Sequence, residues 1–302
     1  MSRATLPDLL RIARAPFLLL GPIAVGVGAA SAWLDLGSLD PLRLAVILLG
    51  AVAAHVSVNA FNEYQDFRSG LDLHTQRTPF SGGSGALPER PELAPAARAL
   101  AWGALLVTVA CGLYLLRVAG PGLLPLGLGG LALVLLYTRW INRLPLLCLI
   151  APGTGFGLFM VMGTYYALTG HFTDTALFAA LPVFFLVNGL LLLNQFPDVE
   201  PDAAVGRRHL PITLGRRRAA QVFGALLAGA YLSLLAGVWL QALPRTTLLA
   251  LLTLPLALSV WRGARQRAEQ IPALVPVLGR NVALTMATPL LLGIGMPLAH
   301  LA

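Results

Sequence analysis

Residues 41–66 read PLRLAVILLGAVAAHVSVNAFNEYQD, an apolar run that closes without a break on an acidic, amide-rich segment. The run over 41–62 is long enough to cross a bilayer as a helix. Its end, Asn59-Ala60-Phe61-Asn62-Glu63-Tyr64-Gln65-Asp66, has a counterpart at the end of a second run: Asn194-Gln195-Phe196-Pro197-Asp198-Val199-Glu200-Pro201-Asp202. In both segments polar groups stand four residues apart. Asn62 therefore stacks over Asp66, and Asp198 over Asp202, on one helical face. An ionisable group at mid-bilayer costs roughly 2.5–3.5 kcal/mol, so such groups need partners. Clustered carboxylates repel one another, and a divalent cation relieves both problems.

Outward from this pair, apolar runs fill the chain of 302 residues. Nine spans are expected, over 16–34, 41–62, 94–116, 120–137, 145–168, 175–196, 219–242, 246–262 and 282–300. The composition agrees: 57% of residues are hydrophobic and 11% charged, against about a quarter charged in a soluble domain. Mean hydropathy is +0.77. The expectation is an all-α integral membrane protein, nine transmembrane helices around a central cavity open to the cytoplasmic side, with residues 1–302 forming a single domain. The first run resembles a signal peptide with an Ala30-Ser31-Ala32 cleavage-like site, but the spans that follow favour an uncleaved first helix.

The net charge of +8 does not point to nucleic acid. Lysine is absent, and under nine spans 18 arginines fall on one side, from Arg3 and Arg11 to Arg280, with only Arg43, Arg117 and Arg245 on the other. That split is the positive-inside pattern. It sets the N-terminus in the cytoplasm and the C-terminus outside, in the cell membrane. Cys111 and Cys148 fall inside spans with no metal or redox spacing, so apolar packing is their expected role.

The two acidic segments close spans two and six, suggesting two four-helix halves plus an extra C-terminal helix. The loop after the first contains Arg77-Thr78-Pro79-Phe80-Ser81-Gly82-Gly83-Ser84-Gly85, a flexible stretch whose backbone N–H groups can approach an anion. It reads as a lid. The loop after the second carries Gly206-Arg207-Arg208, then Arg216-Arg217-Arg218 as membrane anchors.

Mg²⁺ binds one or two carboxylates, waters and substrate phosphate oxygens. The Asn62/Asp66 and Asp198/Asp202 pairs offer two such half-sites. A diphosphate held there becomes a good leaving group, because metals and arginines neutralise the charge that grows as its C–O bond breaks. Asn59-x-x-Asn62-Glu63-x-x-Asp66-x-x-x-Gly70-x-Asp72, together with Asp198-x-x-x-Asp202-x-x-x-Gly206-Arg207-Arg208, resembles the two aspartate-rich signatures of the UbiA superfamily of intramembrane prenyltransferases. The resemblance implies nine helices around a cavity, Mg²⁺ as cofactor, an isoprenyl diphosphate and an aromatic acceptor as substrates, and the lipid bilayer as the surroundings. It implies metal contacts from Asn62, Asp66, Asp198 and Asp202, with Asp72 beside them, and diphosphate contacts from Arg77, Arg207 and Arg208. Tyr137, Arg139 and Arg143 close the fourth span where such enzymes often carry a Tyr with basic residues. Gly70-x-Asp72 and Gly163-Thr164-Tyr165-Tyr166 look most like the menaquinone-branch 1,4-dihydroxy-2-naphthoate prenyltransferases, although His209 stands where those enzymes usually have threonine.

Other residues have more than one reading. Glu63 either meets metal through water or pairs with an arginine. Glu200 points away from the Asp198/Asp202 face. His55 suits a structural role, and Asn188 and Asn194 suit helix packing or support of the metal ligands. Phe61, Trp102, Phe156 and Phe159 are candidates to face an allylic cation, and Tyr165 and Tyr166 to sit in an outer interfacial belt. Alternative acceptors are 4-hydroxybenzoate, homogentisate, a tetrapyrrole or glycerol phosphate. A secondary transporter is the competing class, suggested by prolines within spans, but its sites lie near the midplane, whereas these acids crowd one rim.

Overall fold

The computed structural model describes residues 4–300, and among them every regular element is helical. Eight helices are long and apolar enough to cross a membrane. In chain order, with a shorter apolar helix in fourth place, they are α1 (Ala15–Leu36), α2 (Pro41–Ser69), α3 (Pro91–Ala119), α4 (Pro121–Leu136), α5 (Pro145–Thr169), α6 (Asp174–Asn194), α7 (Arg216–Trp239), α8 (Arg245–Arg267) and α9 (Ile271–His300). Eight of the nine expected spans thus appear as helices of crossing length; the fourth, expected over 120–137, is a shorter apolar helix of about 24 Å, at 1.5 Å per residue. Arg3, one of the arginines counted on the inner side, lies outside the described residues.

Sequence chemistry sets the ends. Asp40 caps α2, its carboxylate accepting from the N–H groups of Leu42 (2.9 Å) and Arg43 (3.1 Å), and Pro41 supplies the pre-set φ of a first helical residue. Gly70, at φ 79°, stops the same helix in a left-handed turn. Between these stops α2 runs past the expected boundary at residue 62, because helix propagation ends at the glycine and not where the apolar residues end. Its 29 residues span about 43 Å, against about 30 Å of hydrocarbon. The surplus keeps Asn62, Glu63 and Asp66 on the same continuous helix as the apolar run. Likewise α9 begins at Ile271, well before the expected residue 282, and so includes Arg280.

Helix α6 is the most buried span and the axis of the bundle. On one side α7 packs along it and α8 and α9 close behind, burying Phe196, Phe223, Val260, Leu274 and Leu278 completely. On the other, α5 lies against α6 through Gly153 and Gly157. A Cβ on Gly153 would lie 2.2 Å from the carbonyl oxygen of Phe184, and one on Gly157 would lie 2.6 Å from its nitrogen, so only glycine admits this approach. Within α5, Pro152 gives no N–H to the preceding turn, and residues Thr154–Met162 widen into π-helical turns. The Gly153 N–H leaves the helix ladder for the Asn188 side chain of α6, 2.6 Å away. Asn188 is thus the helix-packing amide its position suggested. Cys111 and Cys148 are both buried, as expected.

Helices α1 to α6 enclose a cavity of about 570 Å³. None of its lining residues comes from α7, α8 or α9.

Candidate active site

The cavity is mostly apolar, walled by leucines of α3 and α4 and by Phe156 and Phe159 in the widened part of α5. Its charged residues gather together. Asn62, Asp66, Asp72, Asp198, Asp202 and Arg207 all line it, so the two acidic segments, far apart in sequence, open onto one space. Arg207 joins them: one guanidinium nitrogen donates to Asp202 Oδ1 at 2.9 Å and the other to Asp66. Gly206, at φ 82°, makes the turn that aims this arginine back across the bundle.

Each segment is also held from outside. Asn62 Nδ2 donates to Asp66 Oδ2 at 2.9 Å, one helical turn along α2, as the spacing requires. Asp198 precedes the short helix Val199–Ala204, and the Asp202 N–H bonds back to the Asp198 carbonyl at 2.9 Å. The Asp202 carboxylate also meets His209 Nε2 at 2.9 Å. The lid loop lies between the segments. Gly82 and Gly83 both take positive φ, 77° and 75°, a curvature that lets consecutive N–H groups face a carboxylate. The Gly82 N–H donates to Asp198 Oδ2 at 3.3 Å, and the Ser84 N–H and hydroxyl donate to the two oxygens of Glu63 at 2.7 Å each.

Glu63 is completely buried and ion-paired with Arg14 at 2.8 Å, which is the arginine-pairing reading. Arg14 also donates to Asn62 Oδ1 at 3.0 Å and lines the cavity. It sits at φ 52°, in the left-handed region that a non-glycine residue adopts only when its surroundings enforce it. The enforcing contact is nearby: Asn59 Nδ2 donates to the Ala13 carbonyl at 2.9 Å. In the sequence Arg14 is only one of the 18 arginines on the inner side. Only its position just before the first span, opposite a buried glutamate, could have marked it.

The other candidate arginines lie elsewhere. Arg77 is exposed, folded over Gly85, and paired with Glu89 at 2.9 Å. Arg139, Arg143 and Arg208 are exposed, and none lines the cavity. The physical reason is the turn at Tyr137–Arg143. It tucks Tyr137 and Asn142 inward, while the Asn142 carbonyl accepts from the Arg208 N–H at 3.0 Å and the charged side chains stay at the surface. Phe61 and Trp102 stack edge-to-face on each other, 5.1 Å between centroids, and do not line the cavity. Tyr165 and Tyr166 are buried and not in an exposed belt, Tyr165 bonding through its hydroxyl to Asp35. His55 does line the cavity, edge-on to Phe156 at 4.8 Å. Asn194 lines it too, and Glu200 lies at the surface paired with Arg216 at 2.6 Å.

Among the described residues, no three His, Cys, Asp or Glu side chains form a ready metal cage. Two carboxylates nonetheless hold an unpartnered buried oxygen in the site, Asp72 Oδ2 and Asp198 Oδ1. Desolvation, with Asp66 close to the one and Asp202 to the other, pushes each from 3.8 up to about 7. Oxygen-only donors, one or two carboxylates to a cluster, with free lone pairs and mutual repulsion, suit a hard cation that keeps waters and takes its remaining ligands from a substrate.

Residues 19–292 match the UbiA prenyltransferase family. A 1,4-dihydroxy-2-naphthoate octaprenyltransferase of Haemophilus influenzae is 28% identical over 295 residues, covering 92% of this chain and 91% of the relative. One from Mycobacterium tuberculosis is 30% identical over 260 residues, covering 84% and 85%. Among solved structures, the apo form of a UbiA homolog from Aeropyrum pernix superposes with a TM-score of 0.70 at 19% identity, over 91% of this chain and 96% of that one. A UbiA homolog from Archaeoglobus fulgidus, bound to DMAPP and Mg²⁺, gives 0.66 at 18% identity, over 95% and 99%.

Proposed function

This chain belongs to the UbiA prenyltransferase family, and on that basis we propose that it moves a polyprenyl group from an isoprenyl diphosphate to 1,4-dihydroxy-2-naphthoate, with Mg²⁺ as cofactor. The carrying observation is geometric: both acidic segments and Arg207 meet on the wall of one mostly apolar cavity. The diphosphate belongs beside those groups and the prenyl chain along the apolar wall. The acceptor is supported by relatives of that name at 28% and 30% identity over most of the chain.

Asn62, Asp66, Asp198 and Asp202, with Asp72 adjoining, are the residues that hold Mg²⁺. When bound, the metal supplies charge neutralisation at the diphosphate oxygens. Arg207 and Arg14, both on the cavity wall, add fixed positive charge there without reorganisation during the reaction. The prenyl C–O bond breaks with its electron pair going to the diphosphate, leaving an allylic cation. The apolar wall excludes water that would quench that cation, and Phe156 and Phe159 offer polarisable rings near it. The electron-rich acceptor ring then attacks through carbon. With dihydroxynaphthoate a new C–C bond forms and the carboxyl group leaves as carbon dioxide, restoring the aromatic ring. Gly82 and Ser84 tie the lid to both acidic segments, so the loop's closure and the carboxylate positions are coupled.

The 18-to-3 arginine split supports a cytoplasmic N-terminus, an outside C-terminus and the cytoplasmic membrane as location, with the whole chain working as one domain. Reporter fusions at the C-terminus test the orientation. The decisive experiment is a matrix of aromatic acceptors against prenyl diphosphates of graded length, using membranes containing the protein and mass spectrometry of the products. Prenylated naphthoquinol, with Mg²⁺-dependent diphosphate release, is expected. Product only from 4-hydroxybenzoate, homogentisate, a tetrapyrrole or glycerol phosphate would overturn the acceptor assignment and leave prenyl transfer standing.

A further inference from the structure

A second, smaller cavity of about 280 Å³ lies between α8 and α9, away from the cavity of the active site. Three of its lining residues are arginines, Arg262, Arg267 and Arg280, joined by Ser259 and Gln266, and no acid lines it. Gly263 brings the two helices into tight contact: a Cβ there would meet Val277 at 2.9 Å. Cations from both helices are therefore forced into one notch. Arg280 is oriented within it, Nη1 donating to Ser259 Oγ at 2.9 Å.

Elsewhere in the molecule the arginines near acids use them. Arg11, Arg14, Arg77, Arg90, Arg207 and Arg216 all form ion pairs. Among the described residues none of Arg262, Arg267 and Arg280 does. The nearby Glu269 faces Arg216 and Arg217 instead, at 3.8 and 4.0 Å. Position sharpens the contrast. Arg280 lies about 13 Å along α9 from Ile271, short of the apolar run over 282–300 and among the inner-side arginines. A half-buried guanidinium at that boundary with no carboxylate calls for an anion from outside the chain. Planar N–H forks match phosphate oxygens, and the serine hydroxyl and glutamine amide add neutral donors.

We propose that this notch binds a phosphate group, and that its source is the headgroup of an anionic phospholipid packed against α8 and α9. Position favours the membrane source, because the notch lies on helices that read as spans and at the end of α8 where basic residues meet an anionic surface. Free phosphate or diphosphate offers the same chemistry from solution.

The test uses the full chain in nanodiscs of phosphatidylcholine, with or without phosphatidylglycerol. Unfolding temperature and retained lipid, read by native mass spectrometry, are compared for the wild type and the Arg262→Gln/Arg280→Gln variant. Phosphatidylglycerol is expected to raise the wild-type unfolding temperature and to stay bound. In the variant, binding should weaken about 30-fold, about fivefold for each arginine. Prenyl transfer in pure phosphatidylcholine should match the wild type and so report correct folding. Should the double variant fail to fold, the single Arg262→Gln change at an exposed position carries the test, with about a fivefold loss expected. Equal phosphatidylglycerol retention in the wild type and the folded variants would overturn the proposal. A stabilisation by inorganic phosphate or diphosphate in pure phosphatidylcholine, absent from the variant, would overturn the membrane source while keeping the phosphate site.

Discussion

The two flanks of α6 differ in what fills them. Behind it, α7, α8 and α9 bury Phe223, Val260, Leu274 and Leu278 completely and contribute nothing to the large cavity. In front, α1 to α5 leave about 570 Å³ unfilled, lined by four aspartates, with the buried Glu63 paired to the lining Arg14. Wall atoms facing empty space forgo dispersion contacts, and carboxylates gathered out of water repel one another. The front flank therefore stores chemistry at the expense of cohesion, and the back flank supplies cohesion. Glycine contacts join them through α6: Gly153 and Gly157 in front against Phe184, and Gly189 behind against Phe223.

That division can be broken most sharply at the acids. Asp66→Ala or Asp198→Ala should reduce diphosphate release on the order of a thousandfold while leaving membrane insertion intact. Near-normal turnover in either variant would remove these carboxylates from the proposed site. Behind α6 the reverse is expected. Phe223→Ala should cost about 3–5 kcal/mol of stability with kcat per folded molecule preserved, whereas Phe159→Ala should cost less, because one side of its ring faces the cavity and already lacks packing partners. Denaturant titration of both variants in one detergent makes the comparison. Equal losses would mean the front flank is packed as firmly as the back.

Arg14 sharpens the division from within the front flank. Arg14→Leu strands the buried Glu63 with only its Ser84 donors and should cost about 3 kcal/mol. The double variant Arg14→Leu/Glu63→Leu should recover most of that stability but not activity. The smallest effect is the pH response. Asp72 and Asp198 titrate at about 7 in the folded chain, against an ordinary 3.8. Between those values the folded state binds more protons than the unfolded one, so the metal-free protein should lose stability as pH rises from about 4 to 7, then level off. Mg²⁺ should raise the unfolding temperature more at pH 8 than at pH 5, because it needs ionised ligands. A metal-free protein that grows more stable over that range would contradict the burial of these two groups.

Much of the front flank was legible before any coordinates. The run over 41–62 and its acidic end specify a span and a ligand pair, because helical periodicity alone stacks Asn62 on Asp66. The recurrence at 194–202 signals a partner site. The arginines were less readable. Arg77, Arg139, Arg143 and Arg208 follow acidic or aromatic motifs in sequence, yet the turns that carry them leave them at the surface. Arg14 has no motif beside it and reaches the site only because the chain turns left-handed immediately before α1.

The sequence by itself determined most of the helices, their apolar character and the identity of both acidic clusters, since apolar length, proline starts, glycine stops and four-residue spacing are local properties of a chain. Only the tertiary structure decided that one arginine, Arg207, bridges the clusters, that Arg14 and not Arg77 stands at the cavity, and that α7 to α9 stay out of it. Those outcomes depend on which helix faces pack and how loops fold back between them, and contacts between residues as distant as Asp66 and Arg207 have no signature in the spacing of either.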